Sequence, residues 1–188
     1  VLAVQLQFGL TNAVQQDGTT PLHHAVSYRC LPAIKWLLQY AEKFVDAQNN
    51  EGATPIDAAK ELFADTDPMD QAAVANMVTI QCTLTKGKYV TLTHTTLQSL
   101  PSELCEFKSL EELCLSGCRS LVSLPQRIGD LKSLTKLDLY SCEKLTSLPD
   151  RFGDLKSLTS LDLSGGFGLS MALKSLPDSI GDLKALHT

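Results

Sequence analysis

The chain has 188 residues, of which 44% are hydrophobic and 20% charged, as expected for one or two globular domains. Its net charge of −5 is unevenly placed, because residues 1–81 carry 4 Lys/Arg against 9 Asp/Glu and residues 82–188 carry 12 of each. No basic stripe is present, so we expect no nucleic-acid partner. No apolar run reaches the length of a membrane span. We expect the sequence to be a fragment of a longer chain, since it does not open with Met and its last repeat stops where a strand should begin.

Two similar segments lie 34 residues apart in the first part of the chain. Asp17–Ala25 (DGTTPLHHA) is matched by Glu51–Ala59 (EGATPIDAA). The Thr-Pro pair in each predicts a helix start, with Thr as the N-cap and Pro at the first helical position, where its missing N–H costs nothing. His23 and Asp57 follow the caps by three residues, where a side chain can bond back to the turn.

A second helix is predicted after each of these first helices. One starts at Pro32 and has apolar residues at helical spacing, namely Ile34, Leu37, Leu38 and Ala41. In the next repeat Asp67 is predicted to cap a helix that starts at Pro68 and continues through Ala72, Ala73, Met77 and Ile80. The acidic run Asp65, Asp67, Asp70 lacks the glycine and the final glutamate of a calcium loop, so it is interpreted as a capped acidic loop.

The motif Thr-Pro-Leu-His at residues 20–23 resembles the hallmark of ankyrin repeats. The resemblance covers residues 1–81, as a partial first repeat followed by two more, and it implies an all-α solenoid. The second copy departs from the motif, with Ile56 and Asp57 in place of Leu and His. Residues 82–88 lack the periodicity of either side and are predicted to be a junction.

From residue 89 the sequence repeats with a fixed period. The units that begin at Leu100, Leu124 and Leu148 are 24 residues apart, and a further step of 28 residues leads to Leu176. Leucines that alternate with polar residues predict one short, half-buried strand in each unit. The preceding arc, which in the second unit runs LPQRIGDLKSL, predicts a helical or 3₁₀ return.

This repeated sequence pattern, LPxxIGxLxxL…LxLxxCxxLxxLP, resembles leucine-rich repeats of the intracellular and plant-resistance-like type. The resemblance covers residues 89–188, as an irregular first repeat, three full repeats and one truncated repeat. It implies an α/β solenoid whose strands form a parallel sheet. The predicted fold is therefore a tandem solenoid, with all-α ankyrin repeats before an α/β leucine-rich-repeat solenoid.

The six cysteines show no Cys-x-x-Cys pair and no zinc spacing. Cys118 and Cys142 occupy the same position in consecutive units and are interpreted as buried thiols, although a disulfide along the stack is conceivable. No Asn-x-Ser/Thr acceptor occurs. These features favour a cytoplasmic location.

No catalytic centre can be assembled from this sequence. His23 belongs to the capping pattern rather than to a metal pair with His24, and Gly165–Gly168 has no Gly-Lys-Ser/Thr of a phosphate loop. We therefore expect no enzyme activity, no metal, no cofactor and no small-molecule substrate. The repeated Asp-Leu-Lys at residues 130–132, 154–156 and 182–184 is interpreted as a solvated convex face.

The candidate binding residues lie between the core leucines of the strands, on the predicted concave side. They are Glu112, Lys136, Asp138, Tyr140 and Asp162, with Tyr140 as the predicted centre of a partner site. Varied polar side chains with one aromatic on a constant frame favour recognition of a protein, and the ankyrin groove is a second candidate surface. The alternative is that these residues are ordinary solvated surface.

Two classes of function remain open from the sequence. The first is a non-catalytic interaction scaffold that binds other proteins. The second is the recognition segment of a larger signalling enzyme, since ankyrin repeats before leucine-rich repeats resemble the order found in some Roco-type GTPase and kinase proteins. The repeat wording also resembles plant immune receptors, which implies an immune-receptor-like role.

Overall fold

The computed structural model describes residues 14–40, 44–64, 70–165 and 172–187. Its described N-terminal part contains two pairs of helices, and its C-terminal part contains a parallel sheet with a short 3₁₀ helix before each later strand. The helices are α1 (Pro21–Ser27), α2 (Leu31–Tyr40), α3 (Pro55–Ala64) and α4 (Gln71–Leu84). The strands are β1 (Tyr89–Thr91), β2 (Glu112–Cys114), β3 (Lys136–Asp138) and β4 (Ser160–Asp162).

Helix α1 begins at the predicted capping pair. The His23 backbone N–H donates to Thr20 Oγ1 at 3.4 Å, and the Thr20 backbone N–H donates to His23 Nδ1 at 3.3 Å. The other ring nitrogen, Nε2, lies 2.9 Å from the carbonyl oxygen of Ala53 in the next repeat. Since Nδ1 accepts, Nε2 carries the proton and donates to Ala53. His23 thus has two structural roles, one in its own helix and one between repeats.

Helix α3 begins with the same geometry built from different atoms. The Asp57 carboxylate accepts from Thr54 Oγ1 at 2.6 Å and from the Thr54 backbone N–H at 3.1 Å. These hydrogen bonds stabilise the charged form and lower the pKa of Asp57 to about 2. Asp57 therefore takes the place of the ankyrin histidine and bonds back to the capping residue Thr54, and its other bond within the described residues is to Lys60 of the same helix.

Helix α4 begins later than the predicted start at Pro68. Asp70 is its N-cap and accepts from the Ala73 backbone N–H at 3.0 Å. Ala72 faces solvent, whereas Val74, Met77, Val78 and Ile80 are fully buried. The predicted cap at Asp67, the start at Pro68, the acidic residue Asp65 and most of the predicted partial first repeat lie outside the described residues.

The four strands pair in sequence order and in parallel. Tyr89, Glu112, Lys136 and Ser160 stand side by side, and so do Thr91, Cys114, Asp138 and Asp162. The middle residue of each strand points into the core, where Val90, Leu113 and Leu137 are each 1% exposed. A one-residue slip would turn these apolar side chains to water, so the leucine pattern fixes the register.

Short 3₁₀ helices form the opposite side of the solenoid, each after a proline in extended conformation. They span Ser102–Glu106, Gln126–Asp130, Asp150–Asp154 and Asp178–Asp182. Gly129 and Gly153 stand where a Cβ would run into the backbone carbonyl of the next turn, that of Arg151 and of Ser179 respectively. The repeated glycine therefore allows close approach of successive 3₁₀ helices.

The turn cysteines lie in the core, as predicted. Cys118 Sγ donates to the Leu92 carbonyl at 2.9 Å, and Cys142 Sγ donates to the Leu115 carbonyl at 3.3 Å. Each thiol thus bonds to the backbone of the preceding repeat. All six cysteines are free.

The two halves share one buried core rather than two separate ones. The predicted junction at 82–88 begins inside α4, where Cys82 and Leu84 are buried. The buried side chain of Gln81 accepts from the Thr91 backbone N–H at 3.1 Å, a donor that would otherwise be unpaired at the sheet edge. Helix α4 therefore covers the edge strand of the sheet.

Candidate functional site: the concave face of the sheet

The outward residues of the four strands form one surface, which we call the concave face. It consists of Tyr89, Thr91, Glu112, Cys114, Lys136, Asp138, Ser160 and Asp162, continued past the strand ends by Thr93, Ser116, Tyr140 and Ser164. Strand periodicity places these side chains opposite the buried leucines. Four of the five predicted site residues, Glu112, Lys136, Asp138 and Asp162, lie on the strands themselves.

A shallow cavity of about 320 Å³ lies on this face. It is lined by Glu112, Leu113, Cys114, Lys136, Leu137, Asp138, Ser160 and Asp162. The structure thus brings Glu112, Lys136, Asp138 and Asp162 together around one depression. Its walls are side chains from three adjacent strands, so its shape depends on the sheet register.

Lys136 and Glu112 form an ion pair across neighbouring strands. The Lys136 Nζ to Glu112 Oε1 distance is 2.8 Å, and the side chains are 59% and 51% exposed. An ion pair this exposed adds little to stability, because water screens the attraction. Its effect on the surface is to neutralise Glu112.

Asp138 and Asp162 are held by their own loops. Asp138 Oδ1 accepts from the Tyr140 backbone N–H at 2.9 Å. Asp162 Oδ1 accepts from the Ser164 backbone N–H at 2.8 Å and from Ser164 Oγ at 2.6 Å. These local bonds fix the direction of both carboxylates.

Tyr140 does not line the cavity. It is half-buried beyond the end of β3, and its carbonyl oxygen accepts from the Gly117 backbone N–H at 2.8 Å. Four residues along an extended strand separate it from Lys136, or about 13 Å. The role of Tyr140 as the centre of a partner site stays a prediction.

Tyr89 is an aromatic residue of this face that was not among the predicted site residues. It is 45% exposed and stands in register with Glu112. The signal was present in Tyr89-Val90-Thr91-Leu92, since Val90 and Leu92 occupy the positions of Leu113 and Leu115 in the next repeat. The first repeat departs from the sequence pattern of the later repeats, so the equivalence of Tyr89 to their outward strand residues was not recognised.

Four of the thiols are shifted away from the reactive thiolate form. Burial raises the pKa of Cys82 and of Cys142 to about 12, and that of Cys105 to about 11. Burial also raises the pKa of Cys114, the cysteine that lines the cavity. The thiolate is the reactive form, so these four cysteines are poor nucleophiles.

Metal binding would require several His, Cys, Asp or Glu side chains close together within the described residues. No group of three or more His, Cys, Asp or Glu side chains there can hold a metal ion. His23 is engaged in the α1 cap, and Asp70 caps α4. The expected absence of a cofactor stays a prediction.

The convex side was predicted to be a solvated surface, but its side chains also form contacts between repeats. The Asp130 side chain is 20% exposed and contacts Arg127 Nε at 3.1 Å and Arg151 at 2.9 Å. The hydrogen bond from Arg127 lowers the pKa of Asp130. Lys132 Nζ donates to the Asp154 carbonyl of the next repeat at 2.9 Å. These side chains connect successive 3₁₀ helices.

In the described part of the chain, no helix combines the length and apolar composition that a bilayer span requires.

Comparison with known proteins finds both repeat types. The family model for leucine-rich repeats matches residues 108–165, and the model for ankyrin repeats (many copies) matches residues 22–59. No curated protein matches the chain.

Two solved structures are similar to parts of the chain. A leucine-rich repeat protein of Leptospira interrogans is 27% identical over 52% of this chain, with a TM-score of 0.30. The match takes in 35% of that protein's length. The leucine-rich repeat domain of the type III effector XopL is 13% identical, with a TM-score of 0.23, and the match covers 92% of this chain and 96% of that domain.

The structure and the two family models agree on one architecture, that of two successive kinds of repeat. The first part has helix pairs that start at Thr-Pro, and the second part has a parallel sheet over a leucine core. Ankyrin and leucine-rich repeats are typically non-catalytic, and they indicate a protein-interaction module here. The chain is therefore a tandem solenoid in which ankyrin repeats precede leucine-rich repeats.

Proposed function

We propose that this chain is a non-catalytic scaffold that binds partner proteins through the concave face. The observation that supports the proposal most is the contrast between the two sides of the sheet. On the inner side the residues are nearly all leucine and buried, whereas on the concave face each strand presents a different set of polar groups. Fold stability requires the first pattern and leaves the second free to vary.

Tyr140 is the proposed anchor of the partner site, with Glu112, Lys136, Asp138 and Asp162 around the cavity beside it. Tyrosine contributes contact area at small entropic cost, because its side chain has few rotatable bonds. Tyr89 extends the surface to its first strand. A partner that spans both tyrosines would cover the whole cavity.

The chemistry of the face favours protein over the other ligand classes. Its charged residues are Glu112, Lys136, Asp138 and Asp162, so the face carries a net negative charge that repels a phosphate backbone.

The six free thiols favour the reducing cytoplasm, where disulfides are rare.

The test compares matched variants on the two sides of the solenoid. A partner is recovered by pull-down with the full chain, and its affinity is then measured for the unmodified chain, Tyr140→Ala, Tyr89→Ala and the convex control Lys156→Ala. Lys156 Nζ lies 3.9 Å from Asp182 on the convex side and is 56% exposed, so its removal should preserve the fold. A hot-spot tyrosine should cost about 2 kcal/mol of binding free energy when removed. Loss of binding by Lys156→Ala, with both tyrosine variants unaffected, would place the site elsewhere.

A further inference from the structure

The acidic side chains of the concave face differ in whether a basic side chain forms an ion pair with them. Glu112 is neutralised by Lys136 at 2.8 Å. Asp138 and Asp162 stand directly side by side on β3 and β4, and no lysine or arginine among the described residues forms an ion pair with either. Neighbouring strands are about 4.8 Å apart, so two like charges face each other at short range.

Both carboxylates are oriented before any partner arrives. Backbone N–H groups of their own strands hold Oδ1 of Asp138 and Oδ1 of Asp162. Among the described residues, the hydrogen bond to the second oxygen of Asp138 comes from the weak S–H donor of Cys114, at 3.3 Å. Both residues line the cavity, so the acceptor capacity that these bonds leave unused borders it.

We propose that the concave face selects partner segments that carry an arginine or lysine, with the cation seated between Asp138 and Asp162 in the cavity. This inference rests on the proposed function, that the concave face binds partner proteins. A cation there relieves the repulsion between the two carboxylates and forms charge-assisted hydrogen bonds with both. Arginine suits the position better than lysine, because its planar guanidinium can donate to two carboxylates at once.

The neighbouring residues define what else such a segment carries. Tyr89, 45% exposed, lies three strands away from Asp162, or about 15 Å. An exposed tyrosine ring offers contact area to an apolar side chain. The preferred segment thus combines a cation on the β4 side with an apolar residue on the β1 side, and its ligand class is a basic, partly apolar peptide.

The experiment uses the full chain and a displayed library of random short peptides. Selection on the unmodified chain should enrich Arg and Lys over Asp and Glu. An enriched peptide is then synthesised, and its affinity is measured for the unmodified chain and for the double variant Asp138→Asn with Asp162→Asn. Asparagine keeps the carbonyl oxygen that each loop N–H uses, so the fold is expected to survive, as circular dichroism would verify. Affinity should fall at least about tenfold in the double variant.

The matched control removes the same charge from the other side. Asp150 and Asp178 occupy equivalent exposed positions in two 3₁₀ helices, so Asp150→Asn with Asp178→Asn lowers the negative charge by the same amount. An equal loss of affinity in this control would show nonspecific attraction to an acidic chain and overturn the inference. Replacing the peptide's arginine with citrulline should reproduce the loss seen in the double variant.

Two other outcomes separate this inference from the function on which it rests. If enriched peptides depend on Tyr89 or Tyr140 but show no basic preference and bind the double variant equally well, the cation site is wrong and the concave surface stands. If no enriched peptide depends on any residue of the concave face, both the cation site and the proposed surface are wrong.

Discussion

The two halves of the chain connect their repeats in different ways. In the ankyrin half, the hydrogen bonds between repeats include one from a side chain, His23 Nε2 to the Ala53 carbonyl at 2.9 Å, and one between backbone groups, from the Asn50 N–H to the Asp17 carbonyl at 2.8 Å. Asp57, at the equivalent position, bonds to Thr54 and Lys60 of its own repeat. In the leucine-rich half the same backbone bond recurs, from the Leu115 N–H to the Asp138 carbonyl at 2.8 Å and from the Leu139 N–H to the Asp162 carbonyl at 2.9 Å.

This difference determines how each half tolerates change. Substituting His23 in the ankyrin half removes a side-chain bond that belongs to a single repeat boundary. A substitution at a repeated position of the leucine-rich half affects an interface on which the neighbouring repeat depends. Four predictions test this contrast, in order of decreasing effect.

The largest expected effect is a gradient of protection along the sheet. The Leu139 amide is bonded and its side chain fully buried, whereas the last 3₁₀ helix, Asp178–Asp182, has no buried residue. Hydrogen exchange at Leu139 should be slower than at residues 177–187 by at least about a hundredfold. Equal protection at both places would contradict the account in which stability comes from neighbouring repeats.

The second prediction concerns the glycine of the 3₁₀ helices. Gly129→Ala would drive a Cβ into the Arg151 carbonyl and should cost about 2 kcal/mol of unfolding free energy. Gly181→Ala is the matched control, because a Cβ there meets nothing within 4 Å. Urea denaturation of the two variants measures the difference. Equal stability of both would show that the close approach is unimportant.

The third prediction is a pH dependence that originates in the ankyrin half. The folded-state pKa of Asp57 is lowered from 3.8 to about 2, so the unfolded chain binds this proton more readily. The contribution of the charged cap is therefore fully present above the ordinary pKa and is lost as the pH falls through the folded pKa. Asp57→Asn should be less stable than the unmodified chain by about 1 kcal/mol at neutral pH, and the gap should close as the pH approaches the folded pKa.

The control for Asp57 is Glu61→Gln on the exposed side of the same helix, which removes one negative charge without touching the cap. Thermal melts of the three proteins across the acidic range measure the effect. A constant gap at all pH values would show that the charge of Asp57 does not contribute.

The smallest expected effect is a gain in stability in the leucine-rich half. Ser141 has a φ of 57°, in the left-handed region, where the equivalent position of the preceding repeat holds Gly117 with a φ of 73°. Ser141→Gly should raise the unfolding free energy by about 0.5–1 kcal/mol. Ser116→Gly, which lies one position before Gly117 and has no positive φ, should lower it. A loss of stability in both variants would mean that Ser141 is not strained.

Much of the fold was predictable because its signals are local. The Thr-Pro pairs predicted the starts of α1 and α3, since capping involves residues only three apart. The alternating leucines predicted the parallel strands and their buried side. The observed start of α4 differs from the prediction because Asp70, rather than Asp67, caps this helix by accepting from the Ala73 backbone N–H.

The sequence pattern alone predicted the order of the repeats, the leucine core, the buried turn cysteines and the set of polar residues that share one face. The arrangement of side chains on that face depends on the tertiary structure. It placed Glu112, Lys136, Asp138 and Asp162 around a cavity, left Tyr140 outside the lining and added Tyr89 at its edge. It also made α4 the cover of the first strand through Gln81. The physical reason is the distance along the sequence between the residues involved. Caps and strand patterns depend on residues only a few positions apart. The cavity and the covered edge join residues far apart in sequence, which the register of the sheet and the packing of α4 bring together.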